Sequence, residues 1–245
     1  MGAEDMNRPG PAFYARTGSP VGDLITILHP PYTLWHLSYV VIGAALAPSI
    51  DWRILVGTVL AFAFGLGVGA HALDELHDRP LSTDLSDGWL NVLGWGGLAL
   101  GASLAVVAAF VISPVTLLWG AAGVLLAAGY ALEWSPLIHS TVGFGLAWGA
   151  FPVLVGYWGQ TEGLSVSAVV VAAAACVLSM TQRVLSTPAR HLRRDTDAPV
   201  AVIGGSNWET AELLATWERP LRLLVVAHVL LALGLLFSHV VTTAP

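Results

Sequence analysis

Seven apolar stretches dominate this 245-residue sequence and leave few folds open to it. Each is about 20 residues long, which at ~1.5 Å per residue is enough for a helix to cross the ~30 Å hydrocarbon core of a bilayer. The composition agrees, since 56% of the residues are hydrophobic and only 11% are charged, values far from those of soluble domains. We predict an all-α, polytopic membrane helical bundle of about seven transmembrane helices. They span about 32–48, 52–74, 89–112, 115–134, 137–158, 164–186 and 221–241.

The arginines indicate an orientation, because basic residues gather on the cytoplasmic side of membrane proteins. If the N-terminus is cytoplasmic, nine of the ten arginines lie on that side and only Arg53 lies opposite. The same orientation places the two long polar connections, 74–88 and 187–220, in the cytoplasm. We therefore expect an integral protein of a prokaryotic plasma membrane that acts at its cytoplasmic face, with no nucleic-acid partner.

The segments around the apolar stretches have features of their own. Residues 1–22, rich in Gly, Pro and polar groups, are expected to be flexible, and residues 23–245 to form a single transmembrane domain. Closely spaced glycines in the second, third and fifth stretches predict tight helix packing. The sequence SNWETAELLATWERP indicates a short cytoplasmic amphipathic helix, opened by a capping box of Ser206 and Glu209.

Acidic residues follow the second apolar stretch, where charge is costly and marks functional sites. If the helix continues to Arg79, then His71, Asp74 and Asp78 recur at spacings of three and four, with Glu75 beside them. That spacing places an imidazole and up to three carboxylates on one face. Carboxylates suit Mg²⁺, which in proteins bridges one or two of them to substrate phosphates. The alternative is a solvated helix end whose acids face water and Arg79.

Basic residues follow the sixth apolar stretch. Gln182 and Arg183 lie at the membrane boundary. Arg190 and His191 come after Pro188, which is expected to end the helix. Guanidinium groups bind phosphate in a bidentate manner, so this segment is a candidate for gripping an anionic ligand. The alternative is the ordinary cytoplasmic excess of basic residues, or attraction to anionic lipid head groups.

A family resemblance is carried by three stretches, ITILHPPYTLWHLSYVVIGAAL, GLGVGAHALDELHDRPL and LIHSTVGFGLAWGAFPVLVGYWG. They are similar to the first helix, the first aspartate-rich motif and the glycine-rich fifth helix of the UbiA superfamily of intramembrane prenyltransferases. Together they cover about residues 24–186, with a weaker match at 199–205.

The resemblance implies a fold and an activity. In that family nine helices enclose a cavity open to the membrane, and two acidic motifs hold Mg²⁺ against the diphosphate of a polyprenyl donor. The diphosphate departs and leaves an allylic cation, which a lipophilic acceptor attacks. This chain has seven apolar segments, so the resemblance implies a cavity with fewer walls or a homo-oligomer that supplies them.

The family's motifs are only partly present. Asp74 and Asp78 match the second and third aspartates of the first motif, and His71 stands where another Asp is expected. The second motif is degenerate, since Thr187 stands at one of its acidic positions. The resulting site assignments are catalytic roles for Asp74, Asp78 and Arg183, Mg²⁺ ligation by Asp74, Asp78 and Glu75, and substrate binding by His71, Arg79, Gln182, Arg190, His191, Tyr130 and His139.

Several functions remain open at this point. The first is transfer of a prenyl group from a polyprenyl diphosphate to a lipophilic acceptor, in which Arg183 and Arg190 replace the missing second metal. A related membrane terpene cyclase would trap the cation with a double bond of the prenyl chain itself. Its cation-stabilising cavity would be lined by tryptophans, among them Trp35, Trp95, Trp148 and Trp158. Others are a non-catalytic subunit that binds lipid or isoprenoid, favoured by the degenerate second motif, and a metal-dependent lipid hydrolase. The hydrolase would hold zinc through His71, Asp74, His139 and His191.

Overall fold

The computed structural model describes residues 10–16, 18–194, 201–203 and 206–242. Helices dominate the described residues, and the exception is a small antiparallel hairpin of three-residue strands. The elements in chain order are α1 (Pro20–Ile27), α2 (Pro30–Ala45), α3 (Trp52–Phe62), a first π segment (Ala63–Ala70), α4 (His71–Asp78), α5 (Asp87–Val111), α6 (Thr116–Ala131), α7 (Thr141–Gly145), a second π segment (Leu146–Ala150), α8 (Phe151–Thr161), α9 (Val166–Arg194), β1 (Ala201–Ile203), β2 (Ser206–Trp208) and α10 (Thr210–Thr242).

Every predicted apolar stretch falls on helical structure, and the prediction of an all-helical membrane bundle is confirmed at that level. Five continuous helical runs are long and apolar enough to cross a membrane, and they are Trp52–Asp78, Asp87–Val111, Thr141–Thr161, Val166–Arg194 and Thr210–Val240. The helices α2 and α6 have 16 residues each, fewer than the roughly 20 that span a bilayer unaided. The expected count of about seven spans therefore stays a prediction.

Glycines bring the membrane helices into close contact, as predicted for the second, third and fifth stretches. A Cβ added to Gly97 of α5 would lie 2.7 Å from the backbone nitrogen of Gly69 in the first π segment. A Cβ on Gly145 of α7 would lie 2.8 Å from the carbonyl oxygen of Cys176 in α9. Real side chains do not tolerate such distances, so glycine permits the backbone approach at both contacts.

A buried hydrogen-bonded chain fastens α10 to α2. Trp35 Nε1 donates to the Tyr39 hydroxyl at 2.7 Å, and that hydroxyl lies 3.1 Å from Nε2 of His228. His228 Nδ1 in turn lies 2.6 Å from the Leu224 carbonyl oxygen. Because buried polar groups need partners in a medium without water, this network fixes the two helices against each other. Trp35 is therefore a packing residue here.

Two predicted helix boundaries, at Pro188 and at Pro220, are wrong. The helix α9 continues through Pro188 to Arg194, and α10 continues through Pro220 from the hairpin to residue 242. A proline inside a helix costs about 3 kcal/mol, so tertiary contacts must offset it. Arg193 and Glu218, each within five residues of one of the prolines, form a bidentate ion pair with N···O distances of 2.6 and 2.9 Å. This pair braces the two proline-containing turns together.

The same continuity removes the predicted separate amphipathic helix. Only its residues 210–220 belong to the first turns of α10. Ser206 lies in β2, so it cannot cap the helix, and the predicted capping box is wrong. The amide of Glu209 instead donates to Glu212 Oε2 at 3.0 Å. The polar connection predicted over 187–220 accordingly shrinks to residues 195–209, part of which lies outside the described residues.

The N-terminal residues contact the bundle where the structure describes them. Of the segment 1–22, residues 1–9 and 17 lie outside the described residues. The amide of Arg16 donates to Thr26 Oγ1 of α1 at 2.7 Å. The short helix α1 opens with Ser19, whose hydroxyl accepts from the Gly22 amide at 3.1 Å. Residues 10–16 are called the N-terminal segment below.

The bundle has two ends of different character. At the site face, α2 begins, α4, α6 and α9 end, and α10 enters the bundle. The opposite face carries the connections 46–51, 112–115 and 162–165. Arg53 and Asp74 lie on one continuous helical run, about 30 Å apart at ~1.5 Å per residue. They therefore lie near opposite ends of the bundle.

Candidate functional site

A polar cavity of about 130 Å³ opens at the site face. Its walls come from the N-terminal segment, α2, α4, α6, α7, α9 and α10, together with residues of both π segments. Seven of the residues predicted to bind substrate or metal line it, and they are His71, Asp74, Tyr130, His139, Gln182, Arg183 and Arg190. The structure thus gathers the two predicted polar regions, from α4 and α9, around one cavity.

Glu75 does not face this cavity. It is fully buried, and its Oε2 accepts from the Leu81 amide at 2.8 Å. Its Oε1 accepts from the Thr83 amide at 2.8 Å and from the Thr83 hydroxyl at 2.9 Å. Neighbouring residues on a helix point about 100° apart, so Asp74 and Glu75 cannot share a face. Glu75 holds the 79–86 connection onto α4.

Arg79, Asp78 and His191 also lie outside the cavity. Arg79 takes a left-handed conformation (φ 49°) as α4 ends and donates to the Leu85 carbonyl at 2.6 Å. It also forms an ion pair with Asp87. Asp78, the last residue of α4, and His191 of α9 are exposed. The predicted set of Asp74, Asp78 and Glu75 is therefore not brought together.

The charges that do face the cavity leave it with a positive excess. Arg183 lies over two aromatic rings, with its Cζ 5.5 Å from the centroid of Tyr130 and 5.9 Å from that of Phe144. This packing positions the guanidinium without using its hydrogen-bond donors. Arg190 contributes a second positive charge, and Asp74 makes no salt bridge within the described part of the chain. Two arginines against one aspartate favour an anionic ligand.

A stacked histidine pair forms part of the cavity wall. The rings of His29 and His71 lie 4.1 Å apart at an interplanar angle of 24°. The Tyr14 hydroxyl lies 2.7 Å from His29 Nδ1. Burial, and then the neighbouring His71, lower the pKa of His29 well below its usual 6.5, so the ring is neutral. Burial likewise raises the pKa of the Tyr14 phenol well above its usual value, so the phenol keeps its proton.

Two buried polar atoms of the cavity residues have no hydrogen-bond partner among the described residues. They are His29 Nε2 and Gln182 Oε1. With the Tyr14 hydroxyl donating to Nδ1, a neutral His29 carries its proton on Nε2 and offers it as an unused donor. Gln182 Oε1 is an unused acceptor. Buried polar groups are nearly always paired, so these atoms favour a ligand with hydrogen-bonding groups of its own.

The π segments hold two histidines of the cavity, His71 and His36. His71 Nδ1 lies 3.2 Å from the Gly67 carbonyl oxygen of the first π segment. His36 Nδ1 lies 2.8 Å from the Trp148 carbonyl oxygen of the second. Because a carbonyl only accepts, each Nδ1 is the donor, and a neutral ring keeps its lone pair on Nε2. Widened π turns often occur at functional sites, and here they fix the imidazoles.

Sequence reasoning missed the contribution of the N-terminal segment and α2. Tyr14 lies in the segment expected to be flexible, while Tyr32 and His36 lie inside an apolar stretch. The N-terminal segment is held by Arg193, whose Nη1 donates to the Gly10 carbonyl at 2.8 Å. Arg222 lies over the ring of Phe13, 4.6 Å from its centroid. The density of aromatic residues before α2 was the available signal.

A larger, apolar cavity of about 430 Å³ adjoins the polar one. It lies among α3, the first π segment, α5, α6, the second π segment and α8. Leu66 and Trp148, one from each π segment, line both cavities. Of the tryptophans considered for a cation-stabilising wall, Trp148 and Trp158 line the apolar cavity, whereas Trp95 is exposed on the surface of α5.

The polar cavity offers one carboxylate for a metal ion. Glu218 is paired with Arg193, which leaves Asp74. Within the described ranges, no group of three or more His, Cys, Asp or Glu side chains is placed to hold a metal. A Mg²⁺ ion that took the rest of its ligands from a diphosphate and water still fits Asp74. The four-residue zinc set is not assembled, because His191 lies outside the cavity.

No protein-family model matches the chain, and comparison with curated proteins and with solved structures gives no significant match.

Proposed function

We propose that this protein is an integral membrane enzyme of the UbiA type that acts on a polyprenyl diphosphate. It transfers the prenyl group to a lipophilic acceptor and releases diphosphate. The observation that carries the proposal is that the two cavities share the lining residues Leu66 and Trp148. A cationic polar cavity beside a large apolar one matches a ligand with an anionic head and a long hydrocarbon tail.

In this proposal the diphosphate occupies the polar cavity. Arg183 and Arg190 pair with its oxygens, because guanidinium groups are suited to bidentate contacts with phosphate. The unused Nε2 donor of His29 adds a neutral hydrogen bond. Asp74 would hold Mg²⁺, and the ion would supply positive charge that stabilises the departing diphosphate. The site face is then the cytoplasmic face of a prokaryotic plasma membrane, consistent with the distribution of arginines.

The prenyl tail extends past Leu66 into the apolar cavity. Its allylic carbon then lies near the junction, where Trp148 packs 5.5 Å from Tyr130 and 6.4 Å from Phe144, centroid to centroid. Aromatic faces stabilise a cation that lies within about 6 Å of the ring centroid. The carbon–oxygen bond to diphosphate breaks, a carbon–carbon bond to the acceptor forms, and the acceptor loses a proton. A cyclase would use the same cavity and form the new bond within the tail.

A second candidate is a non-catalytic subunit that binds an isoprenoid or lipid. The single available carboxylate favours it, because the family's chemistry relies on two acidic motifs. Such a protein would bind the diphosphate and not cleave it. Binding and cleavage therefore have to be measured separately.

The test uses labelled farnesyl and geranylgeranyl diphosphate with the purified full-length protein. Equilibrium binding and diphosphate release are measured with Mg²⁺ and with a chelator. Release that depends on Mg²⁺ and is lost in Asp74→Asn supports the enzyme. Binding without release supports the subunit. Neither binding nor release by folded protein with either donor overturns both proposals. Asp84→Asn, an exposed acid of the 79–86 connection, is the matched control.

A further inference from the structure

The apolar cavity has a charged residue at the end away from the polar cavity. Among the described residues that line it, Arg53 is the one ionisable side chain. The hydroxyls of Thr58 and Thr116, which also line the cavity, donate to the carbonyls of Ile54 and Ser113 at 2.8 and 2.7 Å. Only Arg53 is therefore available to select a ligand by charge at this end.

The guanidinium of Arg53 makes no salt bridge with any described residue. Its neighbour Asp51 caps α3 instead, with Oδ1 accepting from the backbone amides of Arg53 and Ile54 at 2.8 and 3.3 Å. An exposed arginine at the boundary of a membrane helix is well placed to contact lipid phosphate. Arg53 also lines the apolar cavity, unlike an arginine on an isolated helix surface.

The length of the cavity fits one leaflet. From Arg53 to Leu66 the helical run rises by about 20 Å at ~1.5 Å per residue. Half of a bilayer's hydrocarbon core is about 15 Å thick. An acyl chain that enters beside Arg53 would therefore extend toward the junction at Leu66 and Trp148.

We propose that the apolar cavity binds one acyl chain of an anionic phospholipid from the leaflet at the opposite face, with the lipid phosphate paired to Arg53. Charge complementarity selects the head group, and the cavity selects a single hydrocarbon chain. The lipid enters from the end opposite to the one through which a prenyl tail would enter. The lipid phosphate uses a different face and a different arginine from the diphosphate, but its acyl chain occupies the cavity assigned above to a prenyl tail, so the two ligands would exclude each other. The binding of the lipid can nevertheless be tested without a prenyl donor.

The experiment is photo-crosslinking in lipid nanodiscs of phosphatidylcholine. A trace of phosphatidylglycerol with a diazirine on its acyl chain is compared with the same label on phosphatidylcholine, and labelled peptides are mapped by mass spectrometry. The expected label falls on cavity residues of α5 and α6 and favours phosphatidylglycerol at least fivefold. Arg53→Gln removes that preference. Arg219→Gln, an exposed arginine of α10 outside the cavity, retains it.

A second variant tests the cavity separately from the charge. Gly57 lines the apolar cavity, and a Cβ added there meets no atom within 4 Å, so Gly57→Leu fills space without a clash. It should lower labelling by both lipids at least fivefold. Gly234→Leu, at an equally open helical glycine on the surface of α10, is the control. Two results overturn the proposal. One is label that falls outside the cavity, and the other is a preference for phosphatidylglycerol that persists in Arg53→Gln.

Discussion

The polar cavity takes its walls from segments far apart in the chain, from Pro11 to Leu221, whereas the apolar cavity is enclosed by helices between Arg53 and Gly159. The difference is also chemical. The walls of the polar cavity depend on ion pairs and hydrogen bonds, and those of the apolar cavity on glycine contacts and aromatic packing. A single substitution can therefore disturb one cavity and leave the other intact, which makes the comparison open to experiment.

The largest effect is expected at the ion pair that braces the polar cavity. Glu218→Gln leaves Arg193 charged and largely buried, since that side chain is 10% exposed. Breaking one partner of a buried ion pair costs about 3 kcal/mol. The free energy of unfolding should fall by that amount in chemical or thermal denaturation, while lipid labelling of the apolar cavity persists below the transition.

The matched control for this variant is Glu209→Gln, at an exposed acid before α10. Its stability should change by less than about 0.5 kcal/mol, as is usual for surface positions. Equal losses in the two variants would mean that the Arg193–Glu218 pair does not stabilise the site face.

Asp74→Asn should reduce diphosphate release about 100-fold, because it removes the one carboxylate available to Mg²⁺. Losses of this size are typical when one preorganised electrostatic group is removed. Initial rates with excess donor measure the effect. Asp78→Asn distinguishes the two predictions for this residue. The family motif assigns Asp78 a role in Mg²⁺ binding, whereas the structure places it outside the cavity. An equally large loss of diphosphate release in Asp78→Asn would show that Asp74 and Asp78 act together. That result would contradict the placement of Asp78 outside the cavity.

Filling the apolar cavity near the junction should weaken binding of long donors. Gly65 lines that cavity, and an added Cβ there meets nothing within 4 Å. Gly65→Leu should weaken geranylgeranyl diphosphate binding about tenfold, or about 1.4 kcal/mol, and inorganic diphosphate binding hardly at all. Unchanged affinity for the long donor would place its tail elsewhere. Gly234→Leu again controls for a helical glycine exchanged for leucine.

The smallest effect is a pH dependence from His29. The pKa of His29 is lowered in the folded protein. As the pH falls below 6.5, the pKa of the unfolded state, the unfolded chain therefore takes up a proton while the folded protein does not. Acidification therefore favours unfolding, by about 1 kcal/mol for this group between pH 6.5 and about pH 5.5. His29→Gln should show a correspondingly shallower decline in melting temperature. His77→Gln, at an exposed histidine, should follow the wild type. A parallel decline in His29→Gln would refute the assignment.

The length of the apolar stretches and the distribution of charge predicted much of the fold and part of the candidate site. The helical character of all seven stretches follows from patterns within about 20 residues. The placement of the Asp74 and Arg183 regions at one end of the bundle follows from the distribution of arginines. Local patterns were enough because membrane helices satisfy their own backbone hydrogen bonds.

Long-range contacts account for what the sequence could not provide. Pro188 and Pro220 normally mark helix boundaries, whereas both helices continue through them and are joined by the pairing of Arg193 with Glu218. Spacing alone placed Glu75 among the metal ligands, although the backbone amides of Leu81 and Thr83 occupy its oxygens. Such partners lie on other turns or other helices, beyond the reach of a periodic pattern.

The two π segments also bear on how the chain can change in length. In a regular α-helix a one-residue deletion rotates everything beyond it by about 100°, which would turn Asp74 away from the cavity. A π segment is a helix with a surplus residue in one turn. Deleting one residue within 63–70 can therefore restore a regular helix and leave both flanks in register. His71 and Asp74 both lie beyond this segment, so both would stay in place, and a change in length here can be accommodated without rebuilding the polar cavity.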